Sequence, residues 1–452
     1  MTRKRPRKQA KGPAAAAASK PQKTATQLRN ERKRRSVKKK KLEKKRKRLE
    51  LEKKADPSQK HIDHPLAAPT VKRAKDFFSR QRVAFSVSLG PLNGWRCHTK
   101  LAVRQREGSA EPVVGIFAPG THDVVPNSGT SRAHHVEINR FVPALVSRMK
   151  KEGVRGYDEA SAASSSAATV GMLNYVVINS AISRPELQVT LVLNADAFPD
   201  VPPEILSLAR SLEDCMPPSS SMFLHLNKCE SYENNIFARK ENSWKHLYGP
   251  KVMKETLDLS PAISYRLPLT FPPSVFRQSN LSHFKKIISS IIASLPSSSP
   301  SILELYGGVG TVGLHCLEKC SWLTCSDENP NNVKAFNESK ASLPKKLQKK
   351  VEYVSYNAED MVKEGYLEKD YEVCLLDPPR KGCSTSVLSA LVSSSSLKMI
   401  IYVSCGFHAF TEDSKKLQAG GWKITKAEGY VLFPGSDAIE TLAVFERGDG
   451  VS

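Results

Sequence analysis

The sequence predicts an α/β protein whose carboxyl-terminal half contains a doubly wound, mostly parallel sheet. A glycine-rich loop, Gly307–Gly313, follows the largely apolar run Ile302–Leu305. This arrangement is typical of a strand that ends beside a bound nucleotide. Further along, β-type runs alternate with helix-type segments, and two of these runs end in polar clusters at Asp377 and Cys405. Because parallel strands end at one edge of a sheet, the loop and both clusters should line one crevice.

Positive charge is concentrated at the amino terminus. The 452-residue chain has a formal net charge of +24, and residues 1–60 contain 25 Lys and Arg against 5 Asp and Glu. This segment has almost no aromatic or β-branched residues, so it cannot bury a core. We therefore expect residues 1–75 to form a disordered Lys/Arg-rich tail.

The tail admits several roles. A dense cationic segment suits contact with RNA, or a nuclear or nucleolar address, and we favour these over a merely solubilising role. The alanine run Ala14–Ala18 leaves a chloroplast or mitochondrial address open, although the dense lysines fit it poorly. The sequence leaves the compartment undecided.

The rest of the composition predicts a protein that does not span a membrane. No stretch approaches eighteen consecutive apolar residues. The nine cysteines include no Cys-x-x-Cys pair, which predicts free thiols in a reducing compartment. Cys316, Cys320 and Cys325 lie close in sequence, but their spacing favours packing over a metal site, and we expect no metal.

Residues 76–270 are predicted to form a central α+β domain. Trp95–Arg104 alternates as a strand does, Val136–Lys151 has the periodicity of an amphipathic helix, and Met172–Ala195 contains two β-type runs around a turn. Ser161–Thr169 is composed as a flexible connector.

The stretch from residue 224 to residue 248 interleaves aromatic and basic side chains. Its aromatic members include Tyr232, Phe237, Trp244 and Tyr248. This pattern suits stacking on RNA bases beside phosphates, and it is equally common on the half-buried face of a sheet.

Residues 271–452 are predicted to form the doubly wound domain. A helix, Leu281–Leu295, precedes the first strand, and the glycine loop should lead into a second helix. The later strands are expected before Asp327 and at Val351–Tyr356, Glu372–Leu376, Met399–Ser404, Trp422–Tyr430 and Thr441–Glu446. The last two should form an antiparallel pair, and helices are expected at Thr385–Val392 and Thr411–Gln418.

The two polar clusters are the candidates for chemistry. In Asp377-Pro378-Pro379 the prolines hold the turn extended, so that the carboxylate faces a ligand and cannot cap a following helix. Cys405 lies one residue past a strand and before a glycine, where a thiol can face a cleft. Each feature alone is more often structural, a plain turn or a small core residue.

Together with the loop, these motifs resemble those of the RNA uracil-5-methyltransferases, which make 5-methyluridine in transfer and ribosomal RNA. The resemblance rests on Asp377–Gly382, on Tyr402–Cys405, on Phe276–Asn280, and on Phe433–Glu440, which is similar to the family's Phe-Pro-x-Thr-x-His-x-Glu. It implies a Rossmann-like, seven-stranded class I methyltransferase domain at 271–452 behind an RNA-binding domain.

The resemblance implies S-adenosylmethionine as the cofactor. A glycine loop alone would suit NAD as well, but Glu304 inside the first strand and the Asp-Pro-Pro turn favour a methyltransferase. An acid that ends the second strand, as Asp327 does, can accept both ribose hydroxyls. The residues expected to bind the cofactor are Gln278, Tyr306, Thr311, Asp327, Asn357 and Asp377.

The resemblance also implies a catalytic set of Cys405, Glu440 and Arg380. Uracil C5 is a poor nucleophile, so a thiolate must first add to C6 and push electron density into the ring. Cys405 is the expected nucleophile and Glu440 the base that removes the C5 proton. Arg380 would stabilise charge that develops on the ring carbonyl.

The terminal motif departs from the family at one functional position, because Ala438 stands where the family has His. A non-catalytic RNA-binding or ribosome-assembly factor on the same fold therefore stays open as an alternative. A cytosine-5-methyltransferase would need a cysteine, and an amino-group methyltransferase an aromatic residue, where Arg380 stands. We expect an enzyme that acts on tRNA or rRNA as a monomer.

Overall fold

A computed structural model describes residues 56–105, 111–118, 121, 123–127, 129–158, 171–228, 236–237 and 242–447 of the chain. Residues 1–55 of the basic tail, the connector Ser161–Thr169 and Tyr232 lie outside the described residues. What the sequence predicts for them stays a prediction.

Two large sheets contain most of the strands in this part of the chain. The strands are β1 (Phe85–Leu89), β2 (His98–Gln105), β3 (Pro112–Phe117), β4 (Val124–Pro126), β5 (Leu173–Ser180), β6 (Leu187–Leu193), β7 (Ser221–Leu226), β8 (Trp244–Tyr248), β9 (Met253–Thr256), β10 (Pro268–Phe271), β11 (Ser301–Leu305), β12 (Trp322–Ser326), β13 (Val351–Val354), β14 (Val373–Leu376), β15 (Met399–Ser404), β16 (Trp422–Val431) and β17 (Glu440–Arg447).

The α-helices cover the sheets. They are α1 (Pro69–Arg80), α2 (Val136–Lys151), α3 (Pro203–Ser211), α4 (Leu281–Ser294), α5 (Asn331–Ala341), α6 (Lys345–Gln348), α7 (Ala358–Lys363), α8 (Thr385–Ser393) and α9 (Phe407–Ala419). None of the helices in the described ranges combines the length and the apolar composition needed to cross a bilayer.

The carboxyl-terminal half has the predicted doubly wound architecture. The order across its sheet is β13, β12, β11, β14, β15, β17, β16, β1. The strands from β13 to β15 run parallel, and β17 pairs antiparallel with both β15 and β16. The chain leaves β11 toward β13 and then returns to β14, so the crevice for a ligand lies outside the ends of β11 and β14.

Helices lie on both faces of this sheet because its central strands are apolar on both sides. One core packs α4 and α5 against the sheet, and the other packs α1, α7, α8 and α9 against the opposite face. Helix α4 shows why the pattern works: Phe284, Ile287, Ile288 and Ile291 follow helical spacing and are all buried.

The sheet has eight strands and not the predicted seven. The extra strand is β1, which pairs in parallel with β16 at the edge of the sheet. We assigned residues 76–270 wholly to the central domain, and this boundary is wrong for β1. Its alternating Ser and apolar residues form an edge strand, whose outer edge pairs with no further strand of this sheet.

The predicted tail also ends too late. Helix α1 begins at Pro69 and not after residue 75, and its apolar residues Val71, Ala74, Phe77 and Phe78 are buried against the sheet. Proline at the first helical position and the i, i+3, i+6 and i+7 spacing of these residues signal a helix that the neighbouring charges obscured.

The segment after the glycine loop differs from the prediction as well. Instead of an α-helix, turns lead into a short 3₁₀ helix, Gly313–His315. The N–H of Leu314 bonds to Gly310 O at 3.1 Å, whereas the N–H of Cys316 bonds to Gly313 O at 2.9 Å, so the ladder never becomes regular. No helix N-terminus of useful length therefore faces the crevice from this loop.

The central domain is a seven-stranded sheet in the order β4, β3, β2, β5, β6, β7, β8, with α2 and α3 packed on one face. The two β-type runs predicted within Met172–Ala195 are β5 and β6, and they pair antiparallel. Tyr248 donates a hydrogen bond to Ala209 O in α3 at 2.9 Å, which explains this aromatic residue by packing. The RNA contact of its neighbours stays a prediction.

A buried joint connects the central domain to the doubly wound domain. Arg277 forms an ion pair with Glu255, and both side chains are almost fully buried. The same guanidinium donates to Ser180 O at the end of β5 at 3.0 Å. The backbone N–H of Cys97 donates to Ser279 O at 2.8 Å. These bonds fix the start of β2 against the segment that precedes α4.

Candidate active site

The carboxyl ends of β14 and β15 meet, as the sequence predicts. The backbone carbonyl of Arg380 lies so close to Gly406 that a Cβ atom on Gly406 would stand 2.2 Å from the carbonyl oxygen. The turn after Asp377 and the turn after Cys405 are therefore packed against each other. Glycine at 406 is required for that approach, because any side chain would push Arg380 away.

Cys405 and Glu440 are neighbours across two paired strands. Ser404 pairs with Thr441 in the antiparallel β15 and β17 ladder. The next residues outward are Cys405 on one strand and Glu440 on the other, so the register places them opposite each other. Glu440 is buried, and Cys405 is partly buried.

A cleft of about 980 Å³ opens beside Cys405 and Arg380. The turns after β14 and β15 form one wall, and the loop between β16 and β17 and the amino-terminal part of α1 form others. The lining includes Thr70, Arg73, Arg96, Ser279, Lys381, Cys383, His408, Glu412, Lys416, Phe433 and Ala438. The volume is sufficient for an unstacked nucleotide.

The segment that departs from the family motif is held by the chain's amino-terminal part. Asp437 accepts a hydrogen bond from the N–H of Thr70 at 2.7 Å, at the first turn of α1. Gly435 O accepts one from the N–H of His61 at 2.7 Å. Gly435 has φ 101°, a conformation that favours glycine. The loop that leads to Glu440 is thus fixed although Ala438 replaces His.

Asp327 lies at the end of β12 and braces the glycine loop. Its carboxylate accepts hydrogen bonds from the N–H of Gly308 at 3.1 Å, the N–H of Asn329 at 2.9 Å and the side chain of Asn332 at 2.9 Å. Burial raises the pKa of this carboxyl, and the bonds from Asn329 and Gly308 oppose the rise.

Glu304 supports the same loop from inside β11. Its carboxylate accepts from the N–H of Gly313 at 2.9 Å, and a Cβ on Gly313 would stand 2.3 Å from the other carboxylate oxygen. Burial raises the pKa of Glu304 to about 7. The acid that we took as a sign of a methyltransferase is therefore enclosed in the protein and shapes the loop.

The other residues predicted to bind the cofactor occupy different surroundings. Asn357 caps α7, accepting from the N–H of Asp360 at 2.8 Å and donating to its carboxylate at 2.7 Å, so its side chain is already engaged. Thr311 is partly buried, and its carbonyl accepts from His315 Nδ1 at 2.7 Å. The remaining three, Gln278, Tyr306 and Asp377, are partly buried.

Tyr306 has a left-handed backbone, with φ 61°. Its hydroxyl interacts with the thiol of Cys383, and its side chain packs against the core on the α1, α7, α8 and α9 side of the sheet. The same left-handed conformation turns the chain from β11 into Gly307, whose N–H donates to Ser326 O at 2.8 Å.

Comparison with known proteins identifies the family. No family model matches the chain. Over 361 residues it is 32% identical to an uncharacterized RNA methyltransferase of Protochlamydia amoebophila, and the match covers 79% of this chain and 87% of that protein. The chain belongs to the RNA methyltransferase family. An uncharacterized RNA methyltransferase of Oceanobacillus iheyensis is 24% identical over 349 residues, 76% of this chain and 70% of that protein.

A solved structure shares the fold of this methyltransferase. The tRNA (uracil-54, C5)-methyltransferase of Pyrococcus abyssi, crystallised with S-adenosyl-L-homocysteine, superposes with a TM-score of 0.58 and 17% sequence identity. The superposition covers 85% of this chain and 83% of that chain. At this identity the likeness confirms the predicted fold and says nothing of the substrate.

Electrostatics couple the acids and the thiol of the methyltransferase site. Burial raises the pKa of Asp377 to about 7, and the charge of Glu304 adds to the rise. Burial, followed by the charge of Asp377, raises the pKa of Glu440 well above its ordinary value, and the Arg380 guanidinium opposes this. Burial and the charge of Glu440 raise the pKa of the Cys405 thiol to about 11. The Cys405 thiol is therefore mainly protonated at neutral pH.

The raised thiol pKa predicts a strong pH dependence of Cys405 alkylation by iodoacetamide. Only the thiolate reacts, and below a pKa of about 11 its fraction grows tenfold per pH unit. Per-cysteine mass spectrometry from about pH 8 to about pH 10 should therefore show a rate that rises about tenfold per unit throughout. A rate that levels off above about pH 9 would mean that the surroundings do not raise the thiol pKa.

Sequence reasoning missed the residues that form the far wall of the cleft. Arg96 precedes β2, and Thr70 and Arg73 belong to a segment that we took for tail. Asp437 was visible inside the terminal motif, but only as a variable position. The one available signal was the pairing of Pro69 at a helix start with the apolar spacing behind it.

Proposed function

We propose that this methyltransferase transfers a methyl group from S-adenosylmethionine to C5 of a uracil in RNA. The observation that carries the proposal is the register of β15 and β17, which sets Cys405, in the lining of a nucleotide-sized cleft, opposite the buried Glu440. A thiol and a carboxyl group are the pair needed to add to C6 and later remove the C5 proton. The shared fold of the Pyrococcus abyssi enzyme, which is a tRNA (uracil-54, C5)-methyltransferase, supports the proposal.

The residues around the crevice fit the cofactor. Its ribose hydroxyls would donate hydrogen bonds to the carboxylate of Asp327, at the end of β12. Its adenosyl group would lie against the glycine loop, where Gly308 has φ 57° and no atom lies within 4 Å of the position of a Cβ. The charge of Asp377 interacts both with Glu304, which supports the glycine loop, and with Cys405. The cofactor supplies a methyl group activated on a positively charged sulfur.

Each step of the substrate's chemistry has a candidate side chain. The Cys405 thiol gives its proton to solvent in the cleft, and the thiolate sulfur adds to C6 of the uracil, which converts the ring to an enolate. The Arg380 guanidinium, exposed at the cleft wall, stabilises the enolate oxygen. After C5 is methylated, Glu440 removes the C5 proton, and the electron pair of that bond expels the Cys405 sulfur. The target base must leave its stack to reach Cys405.

Replacement of Asp327 with alanine should weaken S-adenosylmethionine binding roughly ten- to a hundredfold, because hydrogen bonds to a charged carboxylate are lost. Isothermal titration calorimetry measures the change, with Glu328→Ala, which removes the adjacent exposed acid, as the matched control. A parallel titration with NAD should show no binding. The thermal midpoint should fall slightly, because Asp327 also holds Gly308 and Asn329. NAD binding without S-adenosylmethionine binding would refute the cofactor assignment.

A non-catalytic RNA-binding role is the second candidate, and Ala438 is the observation that favours it. If the histidine of the family motif were essential for catalysis, a chain with Ala438 in its place would bind RNA without methylating it. The bonds from Thr70 to Asp437 and from His61 to Gly435 give this chain another means of fixing the loop before Glu440. We therefore favour the enzyme.

The substrate and the compartment rest on the tail and on the family. We propose that tRNA or rRNA is the substrate, that the protein acts as a monomer, and that residues 1–55 add sequence-independent RNA affinity or a nuclear or nucleolar address. Mapping 5-methyluridine in total RNA with and without the gene identifies the substrate. Imaging of full-length and tail-deleted fusions identifies the compartment.

A further inference from the structure

The far wall of the cleft contains a cation that the proposed reaction does not use. Arg96 lies between β1 and β2, where its backbone N–H bonds to Ala133 O at 2.8 Å and its carbonyl accepts from the N–H of His135 at 2.9 Å. The side chain forms part of the wall between the Cys405 cleft and a second cavity of about 260 Å³. Its guanidinium carbon lies 4.9 Å from the centre of the Trp95 ring.

The charge of Arg96 is poorly compensated. Its Nε is enclosed and has no hydrogen-bond partner, and the described residues include no ion pair with this side chain. Burial lowers the pKa of Arg96, and the charge of Asp56 opposes this only in part, so the surroundings as a whole disfavour the charge. Unpaired charges of this kind are rare in proteins because removing a charge from water is unfavourable unless a partner replaces the lost hydration.

Neighbouring groups do not supply the missing partner. Asp56 faces Arg96 from the second cavity, but its carboxylate accepts from Ser58 N at 2.8 Å, from Ser58 Oγ at 2.6 Å and from Gln59 Nε2 at 3.1 Å. His134 also lines that cavity, and burial followed by the charge of Arg96 lowers its pKa to about 4, so it is neutral. On its other side Arg96 lines the Cys405 cleft.

The cleft has the charge of a site for an anion. Arg73, Lys381 and Lys416 line it with Arg96 and Arg380. Its three acids already have partners: Asp437 bonds to Thr70 and pairs with Arg73, Glu412 pairs with Lys415, and Asp413 accepts from Cys383 and Tyr402. A nucleotide whose base reaches Cys405 must carry its phosphates along the wall above the floor. A guanidinium matches a phosphate because its planar fork donates two parallel hydrogen bonds.

We propose that Arg96 binds the RNA phosphate next to the target nucleotide. This phosphate is the hydrogen-bonding partner that the protein itself does not provide. This inference rests on the proposed function, because it takes the cleft to be where RNA enters. The cost of an uncompensated guanidinium in the free protein is offset when the phosphate arrives. Binding sites often retain such a locally unfavourable residue, since its removal would stabilise the free protein but weaken the complex.

The test compares Arg96→Met with Arg132→Met. Methionine keeps an unbranched side chain over Trp95 and removes the charge, and Arg132 is an exposed arginine of the same region that bonds to Asn93 outside the cleft. Affinity for a short single-stranded oligouridylate is measured by fluorescence anisotropy over a range of salt concentrations. We expect Arg96→Met to bind roughly ten- to a hundredfold more weakly and to reduce the slope of log affinity against log salt by about 0.7.

Thermal unfolding without RNA separates recognition from structure. Arg96→Met should melt at the wild-type temperature or higher, because a desolvated charge has been removed. A lower melting temperature with an unchanged salt slope would mean that Arg96 is structural and would overturn the proposal. If Arg96→Met does not fold, Arg96→Lys decides: it should keep the slope and bind several-fold more weakly, because an ammonium cannot form the fork. Wild-type affinity with lysine would also refute it.

The result does not depend on the reaction. Failure of the proposed function would appear as the absence of any Cys405-dependent covalent complex with RNA. Failure of the Arg96 site would appear as an unchanged salt slope, whether or not that complex forms.

Discussion

Replacement of Cys405 with alanine is expected to abolish both methyl transfer and the covalent complex with RNA. Without the sulfur nothing adds to C6, and C5 stays too electron-poor to accept a methyl group, so turnover should fall by at least about 10³-fold. RNA that contains 5-fluorouridine measures this directly. Fluorine at C5 cannot be removed by a base, so the wild-type protein should stay attached to the RNA on a denaturing gel.

Cys383→Ala is the matched control. Cys383 lines the same cleft, and burial followed by the charge of Asp413 raises the pKa of its thiol to about 12, so it is the less reactive of two neighbouring thiols. Its variant should form the covalent complex at the wild-type level. A trapped complex that persists in Cys405→Ala and disappears in Cys383→Ala would mean that Cys383, and not Cys405, is the nucleophile.

The doubly wound fold could be predicted because its strands and helices are locally encoded. Continuous apolar runs such as Met399–Ser404 indicate strands buried on both faces, and the spacing in α4 indicates an amphipathic helix. The eighth strand, β1, could not be predicted in this sheet. Its pairing with β16 joins residues more than three hundred positions apart, and nothing in its five residues names that partner.

The floor of the site was predictable for a different reason than its walls. Cys405 and Asp377 end neighbouring strands, so sheet topology alone brings them together. Arg96 and Thr70 reach the cleft through packing between distant segments, which leaves no periodic trace. Asn357 shows the opposite error, a residue that was predicted to bind the cofactor and has a structural role. A polar residue after a strand can serve a ligand or cap the next helix, and here its side chain caps α7.

The roles of Cys405 and Glu440 should separate in a Glu440→Gln variant. Burial and the charge of Asp377 raise the pKa of Glu440, and glutamine matches, in size and charge, the uncharged carboxyl that these surroundings favour. The fold and the attack of Cys405 should therefore survive. The methylated intermediate should then accumulate, because the C5 proton has lost its acceptor, and turnover should fall by about 10²- to 10⁴-fold.

Denaturing gels with methyl-labelled cofactor and unmodified RNA make this stall visible. Glu440→Gln should give a labelled protein–RNA band that persists, whereas Cys405→Ala should give none. Glu412→Gln is the matched control, since Glu412 lines the same cleft but is exposed and pairs with Lys415 at 2.7 Å. It should turn over normally. If Glu440→Gln also turned over normally with no trapped band, another group would have to remove the proton, and the nearest candidate is Asp377, whose charge acts on both Glu440 and Cys405. The double variant Asp377→Asn, Glu440→Gln would then have to stall where the single variant did not.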